Sequence, residues 1–292
     1  MNLSLSSPPF TAPATVSRSI GAILIDAGLL DPVAAEQVIK LQKEEGLRFG
    51  DAAVKLGLLT EADIQQALAS QYDYPFLQPG NESVSEEVVA AFKPFSPVVE
   101  QLRVLRSQLM LRWFDELGRK MLTISSPDAE EGRSFIAANL AVVFSQLGER
   151  TLLLDADLRQ PRQHELFKLG NRPGLSAVLS GRLGLDEGIV KIPGLMGLSV
   201  LPAGAIPPNP QELLNRPAFI EMLGQLQQRF DVILVDTSRA AASADAVNVA
   251  SRVGASILVA RKDMSIAARL KRVAVDLQHS GVQVIGTVLN NA

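Results

Sequence analysis

From residue 121 onward the chain carries short apolar runs rich in β-branched residues: MLTIS (121–125), TLLLD (151–155), LSVLP (198–202), DVILVD (231–236), ASILVA (255–260) and VQVIGTVL (282–289). They are nearly continuous in apolar residues rather than alternating, which predicts strands buried on both faces. Helical stretches separate most of them. Such strands alternating with helices predict one doubly wound, mostly parallel-sheet α/β domain over residues 100–292.

Before that domain the pattern is helical and duplicated. Residues 19–42 and 48–71 align at an offset of 29, with six identities in 24 positions. Gly21 meets Gly50, Gly28 meets Gly57 and Gln42 meets Gln71; Leu29, Leu30 and Gln37 recur as Leu58, Leu59 and Gln66. A fixed period of this kind predicts a repeated unit. Each copy reads as helix, turn, helix. Gly28 and Gly57 follow an apolar helical stretch, where a left-handed residue ends a helix. Asp31 and Thr60 are placed as N-caps, and Pro32 suits a first helical position. Thr60 lacks the Glu or Gln of a full capping box and has Asp63 three residues on. Residues 1–17 read as a disordered tail and 18–78 as the small helical repeat domain. Residues 79–99, with Pro79, Gly80, Pro94 and Pro97, read as a linker holding a short helix around Ser85–Phe92. A longer helix is expected over Ser96–Leu117, with Trp113 and Phe114 in the core.

Composition acts by exclusion. There is no cysteine, so disulfides, thiolate metal sites and cysteine nucleophiles are ruled out. Two histidines do not supply a His-rich metal site. A net charge of −3 gives no electrostatic case for nucleic acid or an anionic membrane. No run of 18 apolar residues is present, and the N-terminus lacks a basic segment followed by an apolar one. A cytoplasmic protein is expected. The basic cluster Arg269, Lys271 and Arg272 reads as a solvated helix face.

Chemistry enters after the first predicted strand. Ser125-Ser126-Pro127-Asp128-Ala129-Glu130-Glu131-Gly132-Arg133-Ser134 leads into a helix expected over Phe135–Leu147. Strand, polar loop, Gly-basic-Ser and helix is the layout of a phosphate-binding loop: backbone N–H groups face the phosphates and a basic side chain reaches over them. The Ser134 hydroxyl is the candidate Mg²⁺ ligand. Arg133 stands where Lys is usual, and Pro127 where a strict loop has Gly. The second strand ends in Asp155-Ala156-Asp157 and the fourth in Asp236. Ligands of open α/β sheets bind beyond the carboxyl ends of the strands, where these acids could hold Mg²⁺ and activate a nucleophile. Each acid taken singly reads equally as a helix N-cap.

The stretch from Ile124 to Phe167, IxSPxxxEGRSxxAANLAxxxxQxGxRTLLLDADLRxPRxHxxF, resembles bacterial tyrosine kinases, the chain-length-determinant autokinases of polysaccharide export in the ParA/MinD-like branch of P-loop proteins. The resemblance implies ATP or ADP bound with Mg²⁺. Glu131, Gly132, Arg133, Ser134 and Asn290 would contact the nucleotide, Asn290 near adenine. Asp155, Asp157 and Arg133 would be catalytic, and Ser134, Asp155 and Asp236 would hold the metal. Glu100, Arg103 and Arg106 match the ExxRxxR motif that builds a ring of kinase subunits in that family; an intrahelical ion pair is the alternative.

The repeat resembles the N-terminal domain of type II secretion and pilus-assembly ATPases, in some of which the tandem units bind cyclic di-GMP. On that resemblance Arg18, Gly21, Gly28, Gln42, Arg48, Gly50, Gly57 and Gln71 are candidate ligand residues; a helical docking module is the alternative. Several positions depart from the kinase pattern. Ala129, Glu130 and Arg133 replace Pro, Gly and Lys of the PGEGKS loop, and Ser238-Arg239 replaces the two prolines after the strand-end Asp. A tyrosine-rich tail is not found before Ala292, and Tyr72 and Tyr74 read as packing aromatics.

The implied function is an ATP-dependent tyrosine autokinase that regulates exopolysaccharide chain length and export. It would form a homo-oligomeric ring with a membrane-embedded export protein, cytoplasmic or held at the inner membrane by that partner. The alternative is an impaired P-loop subunit that responds to nucleotide or cyclic di-GMP. A MinD-like positioning ATPase stands third, with no nucleic-acid partner expected.

Overall fold

The computed structural model describes residues 19–71, 75–78 and 80–291. The expected tail 1–17, Arg18, Tyr72 and Tyr74 lie outside the described residues. The chain divides into two compact units, Met1–Tyr74 and Pro75–Ala292.

The first unit contains α1 (Ile20–Asp26), α2 (Pro32–Glu45), α3 (Phe49–Lys55) and α4 (Glu61–Gln71), two helices per repeat. Asp31 Oδ1 accepts from the Ala34 amide at 2.8 Å and caps α2. Thr60 and Asp63 form a reciprocal cap: the Thr60 amide donates to Asp63 Oδ2 at 2.8 Å and the Asp63 amide to Thr60 Oγ1 at 3.3 Å. Asp63 thus performs the back-bond that a capping box usually draws from Glu or Gln. Gly28 and Gly57 have φ of +70° and +67°, left-handed values that suit glycine. Leu24, Leu30, Val38, Ala52, Ala53 and Leu59 form the core.

The second unit begins with α5 (Val89–Phe92) and α6 (Pro97–Leu109), which runs into one π-helical turn at Met110–Phe114. There follow β1 (Met121–Ser125), α7 (Arg133–Ser145), β2 (Thr151–Asp155), α8 (Gln163–Leu166), α9 (Leu175–Leu179), α10 (Leu185–Gly188) and β3 (Val190–Lys191). The chain continues through β4 (Leu198–Leu201), α11 (Pro210–Leu214), α12 (Pro217–Arg229), β5 (Val232–Asp236), α13 (Asp245–Val253), β6 (Ala255–Arg261), α14 (Ala267–His279) and β7 (Gln283–Asn290). The strands form one sheet in the order β3-β4-β2-β5-β1-β6-β7. All pairings are parallel except β3 with β4. The architecture is the expected doubly wound α/β fold preceded by a helical region. β3 was not expected, because two residues carry no readable period.

α7 is buried along almost its whole length, and β1, β2 and β5 are buried at every residue. Core clusters fill both faces of the sheet. Trp113 and Phe114 join the first, as expected: Trp113 Nε1 donates to the Met121 carbonyl at 2.8 Å, and the Phe114 ring meets Phe144 edge-on at 5.3 Å.

The stretch read as a linker packs into this unit instead. Val84, Val88, Ala90 and Ala91 are buried in the same cluster as α7, as is Leu77, expected in the repeat domain. Buried Asn139 of α7 fixes it, accepting from the Ala90 amide at 2.9 Å and donating to the Glu87 carbonyl at 3.1 Å. Gln146 donates to the carbonyls of Pro75 and Ala90. Prolines shape the segment without freeing it, since side-chain amides satisfy the backbone groups that secondary structure does not.

Among the described residues, no helix is long and apolar enough to cross a membrane.

Candidate functional site

In a parallel sheet, side chains at paired C-terminal positions meet. β5 lies between β1 and β2, so Asp155 pairs in register with Asp236, and Ile124 with Asp236. The loop after β1 and the N-terminus of α7 close over these ends. Gly132 caps α7 with φ +88°, and Glu130 has φ +60°. A left-handed non-glycine residue is strained by about 1–2 kcal/mol. The replacement of Gly by Glu at 130 therefore falls where glycine has a steric advantage.

Four long-range contacts hold the loop. The Glu131 carboxylate is buried; it accepts from the Asp128 amide at 2.7 Å and from the Ser265 hydroxyl. Arg269 donates to both Asp128 oxygens at 3.0 Å, and Arg261 to the Glu130 carbonyl at 3.1 Å. Arg269 is thus a loop clamp and not merely part of a solvated face, whereas Arg272 pairs with Asp276 along its own helix. Asn290 Nδ2 donates to the Glu131 carbonyl at 3.2 Å. A Cβ on Gly132 would stand 2.1 Å from that nitrogen, so the contact requires glycine there.

The centre of the site is Arg133. Its Nε donates to Asp236 Oδ1 at 3.0 Å, Nη1 to Ser126 Oγ at 3.0 Å and Nη2 to Asp157 Oδ2 at 2.9 Å. The Arg133 side chain is 11% exposed, that of Asp157 4% and that of Asp236 0%. Gln163 Nε2 takes the other Asp236 oxygen at 2.7 Å and also donates to the Ser134 carbonyl. Asp155 accepts from the amides of Asp157, Arg162 and Gln163, and Asp157 Oδ1 from those of Arg159 and Gln160. Burial lifts the Asp155 carboxyl well above the usual carboxylate range, and the neighbouring Asp236 and Asp157 charges add to the rise. Burial also raises Asp157, against the pull of the Gln160 amide and the Arg133 guanidinium.

A cleft of about 640 Å³ opens on this cluster, lined by loop residues 129–132, Arg133, Ser134, Phe135, Asp157, Arg162 and Arg239. The α7 N-terminus and the two further arginines suit phosphate groups. Mg²⁺ does not fit the site as it stands. Each carboxylate oxygen of Asp155, Asp157 and Asp236 already accepts a hydrogen bond from within the chain, and a guanidinium joins Asp157 to Asp236. A second, more apolar cleft of about 570 Å³ shares Phe135 and is bordered by Leu102, Leu105, Val288, Leu289 and Asn290.

The structure therefore brings together Glu131, Gly132, Arg133, Ser134, Asp155, Asp157, Asp236 and Asn290. Sequence reasoning missed Gln163, Ser265 and the clamp role of Arg269. The last two lie 134 and 141 residues from their loop partners, beyond any local signal. The remaining candidates lie elsewhere. Arg103 pairs with Glu100 at 2.9 Å within α6 and donates to the Pro94 carbonyl; Arg106 donates to the Val143 carbonyl at 2.9 Å. In the helical unit, a Cβ on Gly21 would lie 3.3 Å from the Phe49 ring and one on Gly50 2.8 Å from Ile64 Cγ2. These glycines admit close helix contact, and Gly28 and Gly57 make turns. Arg48 is exposed at the N-cap position of α3, while Gln42 and Gln71 are half-buried on α2 and α4.

Residues 120–282 match the family model of the cellulose biosynthesis protein BcsQ. The tyrosine-protein kinase etk of Escherichia coli is 34% identical over 203 residues, which are 69% of this chain and 28% of that protein. The chain spans about a quarter to a third of the length of the relatives it matches most strongly, 26% and 35% in two of them. The solved kinase domain of Escherichia coli ETK superposes with a TM-score of 0.67 at 34% identity, over 70% of this chain and 80% of that one. The cell-division ATPase MinD of Pyrococcus furiosus, at 23% identity and a TM-score of 0.51 over 58% of this chain and 71% of that one, shares the fold. The loop on α7, facing acids from two neighbouring strands, is thus carried by a chain that belongs to the bacterial tyrosine kinase family and matches the BcsQ family model.

Proposed function

We propose that the α/β unit binds the phosphate groups of an adenine nucleotide in the cleft over β1, β2 and β5, and acts as a kinase-type regulatory subunit of exopolysaccharide chain length and export. Phosphoryl transfer by the chain is slow in this reading. The observation that carries it is the Arg133 network. A basic side chain that would otherwise reach over the phosphates is tied to Asp157 and Asp236, so the loop presents phosphate-binding amides without the usual alignment of charge. Phosphoryl transfer is mostly positioning and charge stabilisation, so misalignment lowers rate before affinity. Asn290 and the apolar cleft beside Phe135 would receive the base.

The relatives are named tyrosine-protein kinases, which supports the regulatory setting. Self-assembly into a ring and docking to a membrane-embedded export protein complete the proposal. Arg103 and Arg106 are engaged by backbone carbonyls of their own chain, so Glu100 is the member of the motif left most open to a neighbour. Exposed Leu29, Leu56, Leu58 and Leu68 on the helical unit suit a protein partner. Calorimetric titration of the full chain with ADP tests the reading. Binding is expected, and no heat at millimolar nucleotide would overturn it. Light scattering tests assembly: Glu100→Arg should lower the mass of any oligomer and leave the melting temperature nearly unchanged, because an exposed ion pair contributes about 0–1 kcal/mol.

A further inference from the structure

We propose that Arg133 takes the place of the divalent cation, so that this cleft binds nucleotide phosphates without Mg²⁺, with Arg239 as the phosphate-facing cation. The proposal deepens the nucleotide-binding reading above and rests on it.

In a phosphate loop the basic side chain reaches over the phosphates, while the metal sits beside the loop hydroxyl and the strand-end acids. Here the side chain turns the other way. Three donors of the Arg133 guanidinium contact Asp236, Ser126 and Asp157 at 2.9–3.0 Å, in a nearly closed site. A guanidinium is always charged, and its planar fork bridges two carboxylates. It neutralises Asp236, one of the acids assigned to the metal, together with Asp157. Mg²⁺ demands a near-octahedral oxygen shell at short range. To build one, the ion would have to displace Arg133 from Asp236 while Gln163 holds the other oxygen. Opening a buried, hydrogen-bonded charge pair is strongly unfavourable.

Turning Arg133 inward removes a cation from the phosphate side, and the chain supplies others. Arg239 follows β5, is exposed and lines the cleft; no ion pair involves it among the described residues. It stands where the kinase loop pattern has proline, so it is an added charge. Arg162 lines the same cleft but shares its guanidinium with Glu87 at 2.9 Å. Glu130 lies exposed on the same cleft and opposes an anion, which makes Arg239 the cation that decides affinity. The α7 N-terminus completes the phosphate surface.

The test is calorimetric titration of the full chain with ADP, once with excess Mg²⁺ and once with EDTA. The wild-type dissociation constants should agree within about twofold, a difference well under 1 kcal/mol. Arg239→Ala should weaken binding about tenfold in both conditions, the size of a lost charge-assisted contact. Arg133→Lys should create a metal requirement, because a lysine ammonium cannot bridge both acids. Mn²⁺ EPR gives an independent reading: a protein-bound Mn²⁺–ADP signal should appear with Arg133→Lys and not with the wild type. Wild-type binding that falls tenfold or more in EDTA, or a wild-type Mn²⁺ ternary signal, would overturn this proposal alone. No binding in either condition would overturn it together with the nucleotide reading.

Discussion

In the helical unit the glycines of the repeat meet Phe49 and Ile64 or take left-handed turns; in the α/β unit the motif residues gather around the loop before α7 from β1, β2, β5 and β7. Both sets are regular in sequence, yet only the second gathers charge. A helical repeat must bring its helices close, and glycine at 21 and 50 does so. A strand-end acid beside a phosphate loop has no packing reason to be there, and three of them must be neutralised by something. Arg133 pairs with Asp157 and Asp236, and Asp155 is held by three backbone amides.

The sharpest way to break this comparison is to remove that neutralisation. Arg133→Met should destabilise the α/β unit by about 3–5 kcal/mol at neutral pH, the usual consequence of leaving buried acids unpaired, as read by urea denaturation. The loss should depend on pH. Burial holds Asp155 well above the usual carboxylate range and also raises Asp157, so their contribution is complete below the unfolded carboxylate value and is lost as pH rises through their folded values. Removing the guanidinium lifts Asp157 further, so the deficit of the variant should shrink on acidification. A deficit independent of pH would contradict the role assigned to Arg133.

A smaller effect belongs to the other unit. Gly50→Val should cost about 1–3 kcal/mol through overpacking against Ile64. Limited proteolysis should then cut within residues 19–71 while ADP affinity holds. Smaller again, Asp63→Ala should remove the reciprocal cap of α4 at about 1 kcal/mol, seen as a lower first melting transition.

Much of the architecture was legible. The six long apolar runs are strands because nearly continuous apolar sequence requires two covered faces. Gly28, Gly57, Asp31 and Thr60 mark helix ends because each offers a backbone or side-chain group that a helix end lacks. The segment 79–99 misled because proline suggests freedom, while its anchors, Asn139 and Gln146, lie far along the chain. In the site, the loop and the strand-end acids were readable from spacing. The direction in which Arg133 points was not, since it depends on Ser126, Asp157 and Asp236 meeting in three dimensions. Arg269 misled for a similar reason: its neighbours in sequence face solvent, whereas its partner, Asp128, is on the loop.

The central claim is that the Arg133 network leaves a nucleotide site that transfers phosphate slowly. The most direct measurement is turnover of labelled ATP with phosphotyrosine detection, comparing the wild type with Glu130→Gly combined with Arg133→Lys and with Asp155→Ala. The account predicts little signal from the wild type and a rise of about tenfold or more in the double variant, worth roughly 1.4 kcal/mol of barrier. A strong wild-type phosphotyrosine signal that Asp155→Ala abolishes would contradict it.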